Sequence, residues 1–516
     1  MIRSIASSLS KVPSYVVDIL ILIVLCMVAG TQIFRAGKLG FHWHDLSIVF
    51  DAGYRLTIGQ KPFVDFFSPF GPTLFIQQAI FNKVFGVNIN SYLFHAFFLN
   101  SIAIFISYKL IKRYGRVEAL IAASVTAVWF FLPPGAPYID TTAFFWTLIG
   151  FALMYCYIDR EPDRIWLLCL AGMAIGLSIL TKQNIGLFSA IILLLALLIL
   201  TRNRKRAFFG YVVGISIQLS VFILFLFLQE AQNDFVHYWY VLPAGENRLE
   251  SVFPHTIRRV LNTLKVGKVW GVNSHDWLSE IYLLAISSYL VAILLANYRK
   301  KKGNIAVLAL SLILLQHLSR HTSNNNWPLY LVYAGIILVS LAIILINPVR
   351  TRRIVLLGVS IPMILLGYHV SITRAAHFGK LDVPYSIDVP QLSGLRVSEI
   401  EGPEFRELIL YLQKEMPDQN PLYVTGFKTI IYGITGATPV NPLLFPMPWT
   451  DPNNDQYRTD YKALSQLQSN PDVWVITGDN SFELGDLPAL NDYFINEFEV
   501  VEDIGNSYDV WRKKHE

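Results

Sequence analysis

The run YVVDILILIVLCMVAGTQI (Tyr15–Ile33), followed by Phe41-His-Trp-His-Asp45, decides how the rest of the chain is read. A helix needs about 20 apolar residues to cross the ~30 Å hydrocarbon core of a bilayer. Tyr15–Ile33 meets that length with one charge, Asp18, near its start. Arg3 and Lys11 precede it, and no small-residue cleavage site is clear. The run therefore reads as an uncleaved signal-anchor rather than a removable signal peptide. Polar and charged residues then crowd together at its far end.

The whole chain repeats this pattern. Of its 516 residues, 53% are hydrophobic and only 15% charged, and the mean hydropathy is +0.45. Soluble domains carry about 25% charged residues, so the composition indicates a polytopic membrane protein. The formal net charge of +5 is small, so its placement matters more than its size. Cys26, Cys156 and Cys169 all lie in apolar runs and imply no disulfide framework.

Runs of about 17–25 apolar residues give about eleven candidate spans: 14–34, 91–111, 117–133, 139–158, 164–181, 184–201, 207–229, 278–297, 304–319, 327–346 and 353–371. The run 72–87 is short and carries Gln77, Gln78, Asn82 and Lys83. It reads as an amphipathic helix lying in the interface. With the N-terminus inside, alternate short loops should be basic. They contain Lys112, Arg113 and Arg116; Arg160 and Arg164; Arg202, Arg204, Lys205 and Arg206; Arg299 to Lys302; and Arg350, Arg352 and Arg353. The expected location is the inner (plasma) membrane, with a cytoplasmic N-terminus and an extracytoplasmic C-terminus.

Three large segments then lie on the outer face: 35–90, 230–277 and 372–516. The domains expected are a transmembrane unit over 1–371 and an extracytoplasmic soluble α/β unit over 372–516. The second alternates strand-like runs (Pro421–Thr425, Val473–Thr477, Tyr508–Trp511) with helical runs near 403–416 and 457–469. No Walker or Rossmann glycine motif and no zinc-type Cys/His spacing is present. The pair His42 and His44, with Asp45, is too weak a pattern to predict a metal site, and no cofactor is expected. Nothing in the sequence points to nucleic acid.

The outer segment 35–90 holds Asp45, Asp51 and Asp65 among aromatics and turn residues. Asp45 precedes the apolar-periodic stretch Leu46–Leu56, which predicts a short helix. It reads either as that helix's N-cap or as a base held at the membrane rim. Asp140 opens the fourth span after Pro133-Pro-Gly-Ala-Pro-Tyr, and it too reads as a cap or as a second working acid. Lys182 sits in the very short turn Leu180-Thr-Lys-Gln-Asn-Ile-Gly186. A lysine on the outer side runs against the positive-inside pattern, and a phosphate partner would explain it. Arg320 and His321 form the next outer cluster, beside Asn324–Trp327. A guanidinium suits bidentate phosphate binding, although an interfacial tryptophan belt accounts equally for the cluster. The loop 230–277 carries Arg248, His255, Arg258, Arg259, Lys265 and Lys268, and reads mainly as a solvated amphipathic helix.

The order Asp45, short helix, Gly59-x-x-Pro62-Phe63-x-Asp65-Phe66, Gly71-Pro72, interfacial helix, span resembles the first outer loop of the GT-C glycosyltransferases. The likeness is to the branch holding protein O-mannosyltransferases and the aminoarabinose transferases of lipid A. In that family the loop carries an essential acid acting as base on the acceptor, and Asp45 matches it. A second acid often follows directly; here Leu46 takes that place, and Asp51 and Asp65 are the loop's other acids. Asp140 corresponds to the acid common in the second outer loop, and Thr181-Lys182-Gln183 resembles an equivalent turn.

The resemblance implies a GT-C-like fold of about eleven spans, with outer juxtamembrane helices and an outer α/β cap. It implies an enzyme, inverting, that moves a sugar from a polyprenyl-phosphate donor to a hydroxyl of a glycan, lipid or protein acceptor. The expected site places Asp45 and Asp140 at the chemistry, and Asp65, Lys182, Arg320, His321, His44 and Tyr54 around the substrates. Two rival classes exist. O-antigen polymerases and ligases rely on outer arginines, which the acid-rich first loop argues against. Transporters or flippases place ionisable groups at mid-membrane and show repeats, and neither is seen here.

Overall fold

The computed structural model describes residues 13–41, 43–132, 134–160, 164–241, 300–322, 331–346, 348–373, 383–417, 419–426, 428–444, 459–478, 488–505 and 507–514. Its larger part is a helical bundle. The helices are α1 (Ser14–Gly37), α2 (Trp43–Thr57), α3 (Thr73–Phe85), α4 (Ile89–Ile111), α5 (Arg116–Trp129), α6 (Ile139–Arg160), α7 (Ile165–Ile179), α8 (Gln183–Leu200), α9 (Arg204–Leu228), α10 (Gln232–Val236), α11 (Lys300–Thr322), α12 (Ala334–Leu345) and α13 (Val349–Thr373).

Six of these, α1, α4, α6, α8, α9 and α13, are long and apolar enough to cross a bilayer. The chain is a multi-pass membrane protein. Four further runs read as spans fold differently in length. α5 has 14 residues, α7 has 15 and α12 has 12, and the apolar part of α11 is Gly303–Gln316. At 1.5 Å per residue, a 15-residue helix reaches only about 22 Å, short of a full hydrocarbon core. Apolar composition marks these segments as buried but does not fix how far the helix extends. The run 278–297 and most of the loop 230–277 lie outside the described residues.

α3 departs from an ordinary amphipathic helix. Its outward face is the apolar one, with Ile76, Ile80, Val84 and Phe85 exposed. Its amides turn inward: Gln78 Nε2 donates to Asn82 Oδ1 (2.8 Å), and Gln78 Oε1 meets His95 Nδ1 (3.0 Å). The i, i+4, i+8 spacing of Ile76, Ile80 and Val84 makes a stripe suited to lipid, while the polar groups find partners within the bundle.

At the end of the bundle where α1 begins, ion pairs tie helices together. Asp18 is bound by Tyr108, by Lys112 (3.2 Å) and by Arg116. Glu118 holds Arg352 (2.9 Å) and Arg353 (3.4 Å) from α13. The basic residues read as a cytoplasmic loop signal thus also neutralise two buried acids. This joins α1, the α4–α5 turn and the last span.

The other end carries the α/β region. β1 (Tyr385–Ser386) and β2 (Arg396–Val397) form a small antiparallel ribbon, and Leu39, just after α1, bridges to Arg396. The main sheet has five strands: β3 (Pro421–Val424), β4 (Thr438–Pro439), β5 (Trp474–Gly478), β6 (Phe498–Ile504) and β7 (Tyr508–Lys513), in the order β4-β3-β5-β7-β6. β3 runs parallel to β4 and β5, while β7 pairs antiparallel with β5 and β6. Helices α14 (Glu401–Glu415), α15 (Ile430–Thr435), α16 (Thr459–Ser469) and α17 (Pro488–Glu497) complete the unit. β6 and the two-residue β4 carry too few alternating apolar residues to be read in advance. One continuous apolar core runs from Leu22 in α1 through Phe50 in α2 to Tyr432 and Leu444.

Candidate functional site

The acids Asp45 and Asp140 come from separate segments and are linked through Tyr138, which precedes Asp140 by two residues. Asp45 lies in the first turn of α2 and is half-buried. The Tyr138 hydroxyl donates to Asp45 Oδ2 at 3.0 Å. Two residues on, Asp140 occupies the first turn of α6, where free backbone N–H groups favour an anion. The side chain of Asp140 is 1% exposed and pairs with Lys182, which is 13% exposed. The Tyr92 hydroxyl lies 3.2 Å from the Leu46 carbonyl and 3.1 Å from that of Pro137. One buried ring thus braces the start of α2 against the loop before α6.

The short turn bearing Lys182 is fixed from a third side. The backbone N–H groups of Gly71 and Thr73 donate to the carbonyls of Thr181 and Leu180, both at 3.2 Å. A side chain at Gly71 would place its Cβ 1.9 Å from the Leu180 oxygen, so only glycine permits this approach. Gln183 Nε2 donates to the carbonyl of Trp239 (3.1 Å), and the Pro69 carbonyl lies at 3.4 Å. Asp45, Tyr138, Asp140, Lys182 and Gln183 therefore form a connected wall drawn from three sequence segments. Chemically it offers carboxylates able to take a proton and an ammonium able to meet an anion.

Other named residues are placed elsewhere. Asp65 is exposed, and its Oδ2 accepts the Lys61 N–H at 2.7 Å, closing the turn that follows α2. The next-but-one residue before it, Phe63, is buried with φ of +63°, against Phe222 and Phe235. Tyr54 points to the α/β region, its hydroxyl donating to the Ala437 carbonyl at 2.9 Å. Asp51 is fully buried and paired at 3.0 Å with Arg55, also fully buried. Burial pushes the Asp51 carboxyl up to about 6, against the pull of the Arg55 guanidinium. His44 lies in the first turn of α2, and Arg320 and His321 lie in the last turn of α11. Their side chains lie outside the described residues. Among the described residues, no group of three or more His, Cys, Asp or Glu side chains is arranged to hold a metal ion.

Tyr138 and Gln183 were quoted in the sequence without being singled out. Their signal is proximity: each sits within two residues of a candidate charge, in a turn too short to point it elsewhere.

Residues 69–227 match the family described as dolichyl-phosphate-mannose-protein mannosyltransferase. The match covers less than a third of the chain's length. The matched stretch includes Asp140 and Lys182 but begins after Asp45. No curated protein sequence matches the chain. Among solved structures, ArnT from Cupriavidus metallidurans bound to undecaprenyl phosphate is similar at 12% identity, with a TM-score of 0.48 over 95% of this chain and 97% of that one. Its apo state gives 12% identity and a TM-score of 0.47 over the same shares.

Proposed function

We propose that the protein is a membrane glycosyltransferase that moves a sugar from a polyprenyl-phosphate donor to a hydroxyl of an envelope glycan, lipid or protein acceptor. The supporting observation is the joining of Asp45 to the Asp140–Lys182 pair through Tyr138, the last three lying within the stretch that matches a mannosyltransferase family. In this reading the site faces the outer side of the inner membrane, and the N-terminus is cytoplasmic. The α/β region over 372–516 is an extracytoplasmic domain.

Asp45 is the base. The acceptor oxygen attacks the anomeric carbon while its proton passes to the Asp45 carboxylate. The bond from that carbon to the phosphate oxygen breaks, and polyprenyl phosphate leaves with the electron pair. A single displacement of this kind inverts the anomeric centre. Lys182 stabilises the charge growing on the phosphate, with Arg320 and His321 as further candidates on α11. Asp140 holds Lys182 in place and keeps the empty site near neutral. No metal is needed in this scheme, because a phosphate already leaves well when a cation meets it.

Transfer of radiolabelled mannose from undecaprenyl-phosphate mannose, by purified full-length protein with membrane acceptor lipids, tests the reading. Asp45→Asn is expected to lower the rate by about 10²–10⁴-fold, the span typical of a lost general base. Wild-type-level transfer by that variant removes Asp45 as base. Failure of the wild type with mannose, glucose and aminoarabinose donors alike removes the donor class.

A further inference from the structure

The α/β region meets the helix of Asp45 at an unusual place. β3 is the point at which the parallel strands diverge, with β4 on one side and β5 on the other. In open α/β sheets the crevice beyond the carboxyl ends of such strands is where ligands bind. In this protein α2 packs against α15 and the segment 437–442 that contains the edge strand β4. Arg55 Nη1 donates to the Asn441 carbonyl at 2.8 Å, and Asn441 Nδ2 donates to the carbonyl of Val424, the last residue of β3. The guanidinium lies 5.1 Å from the Tyr432 ring centre and 5.7 Å from that of Phe66. Asp51 supplies the counter-charge one helical turn away. Around this core, Tyr54 donates to Ala437, Gln60 Nε2 to Pro439 (3.0 Å), and Phe67 N–H to Pro442 (2.7 Å). At Gly433, in α15, an added Cβ would lie 2.8 Å from Phe50 of α2, so the two helices meet in close contact.

A buried arginine is costly unless it is paired and hydrogen-bonded. Here Nε meets Asp51 and Nη1 meets Asn441, the guanidinium plane lies near two rings, and Nη2 has no hydrogen-bond partner among the described residues; the carbonyl partner belongs to the distant α/β region. Asp45 lies on the same short helix, at the opposite end from Arg55. We infer that Arg55, with Asp51, is a positioning residue: it clamps α2 onto the α/β region, so that this region sets where Asp45 stands during transfer. The α/β region is then part of the catalytic frame. This rests on Asp45 acting as the base.

Arg55→Met, Arg55→Lys and the milder Tyr54→Phe and Gln60→Met are compared in the full-length protein, in detergent. Two readouts are used. One is mannose transfer from undecaprenyl-phosphate mannose, separated into kcat and donor KM. The other is the rate of proteolysis within 430–444. Arg55→Met is expected to lower kcat about tenfold or more with KM within about twofold, as a displaced reacting group does. It should also speed cleavage. Arg55→Lys keeps the charge but not the fork, and should restore part of both. Should Arg55→Met fail to fold, Tyr54→Phe and Gln60→Met are expected to show the same split at about two- to fivefold. Faster cleavage with unchanged kcat would overturn the positioning role. Unchanged cleavage would overturn the clamp. If wild type transfers no sugar, the donor assignment fails, while the proteolysis result still decides the clamp.

Discussion

Two acid–base pairs lie close in the fold and are built for opposite purposes. Asp51 and Arg55 are both fully buried, one turn apart in the second half of α2. Asp140 and Lys182 come from different segments, and the lysine keeps some exposure. Asp140 also sits in the first turn of α6, where backbone N–H groups compensate its charge even without the lysine. Asp51, mid-helix, has no such support. The first pair is therefore committed to holding the fold, and the second can exchange its partner for an incoming anion.

Substitution should separate them most sharply at the cations. Lys182→Met is expected to reduce sugar transfer by about 100-fold, the scale of one lost contact to developing charge, with little change in thermal unfolding. A large drop in Tm with modest loss of transfer would reverse the assignment of the pairs. Arg55→Met should do the converse in stability, at about 3–5 kcal/mol, because it strands a buried carboxylate. Unfolding in detergent, followed by tryptophan fluorescence, measures this.

The pH dependence sharpens the same contrast. Asp51 has a folded pKa raised from 3.8 to about 6, so the folded state holds that proton more tightly than the unfolded state. Stability then falls as pH rises through about 4 to about 6 and levels off above. Asp51→Asn should flatten this part of the Tm profile, and an unchanged slope would assign it to another group. The smallest effect belongs to Asp65. Asp65→Asn loses one exposed bond to Lys61 N–H and should cost about 1 kcal/mol or less with transfer nearly intact. Loss of transfer comparable to that of Asp45→Asn would place Asp65 in the chemistry.

Much of the architecture was legible in apolar run length, because the bilayer demands it. Helix extent was not: α5, α7 and α12 are shorter than the apolar runs that predicted them. The amphipathic character of α3 was legible in Gln77, Gln78, Asn82 and Lys83, but the partners of its amides were not, since Gln78 and Asn82 meet His95 and Ser91 from the next helix. At the site, Asp45, Asp140 and Lys182 were readable from their positions at span ends. The partners that join them were not, since Tyr138 and Gln183 act through contacts between segments distant in sequence. Asp51 and Arg55 did carry a local signal, the i, i+4 spacing of opposite charges. That spacing cannot tell a surface pair from a buried clamp, which depends on Asn441, 386 residues away.

That separation has a consequence for how the protein is made. At a ribosomal rate of about 5–20 residues per second, Arg55 is synthesised roughly 20–80 s before its carbonyl partner exists. Until then the helix bearing Asp45 has no carbonyl at Asn441 to grip. Nascent chains stopped before that point would carry the acids of the candidate site without the frame that aligns them. In the proposed reading, activity would switch on only after residues 421–444 are made and have reached the same side of the membrane.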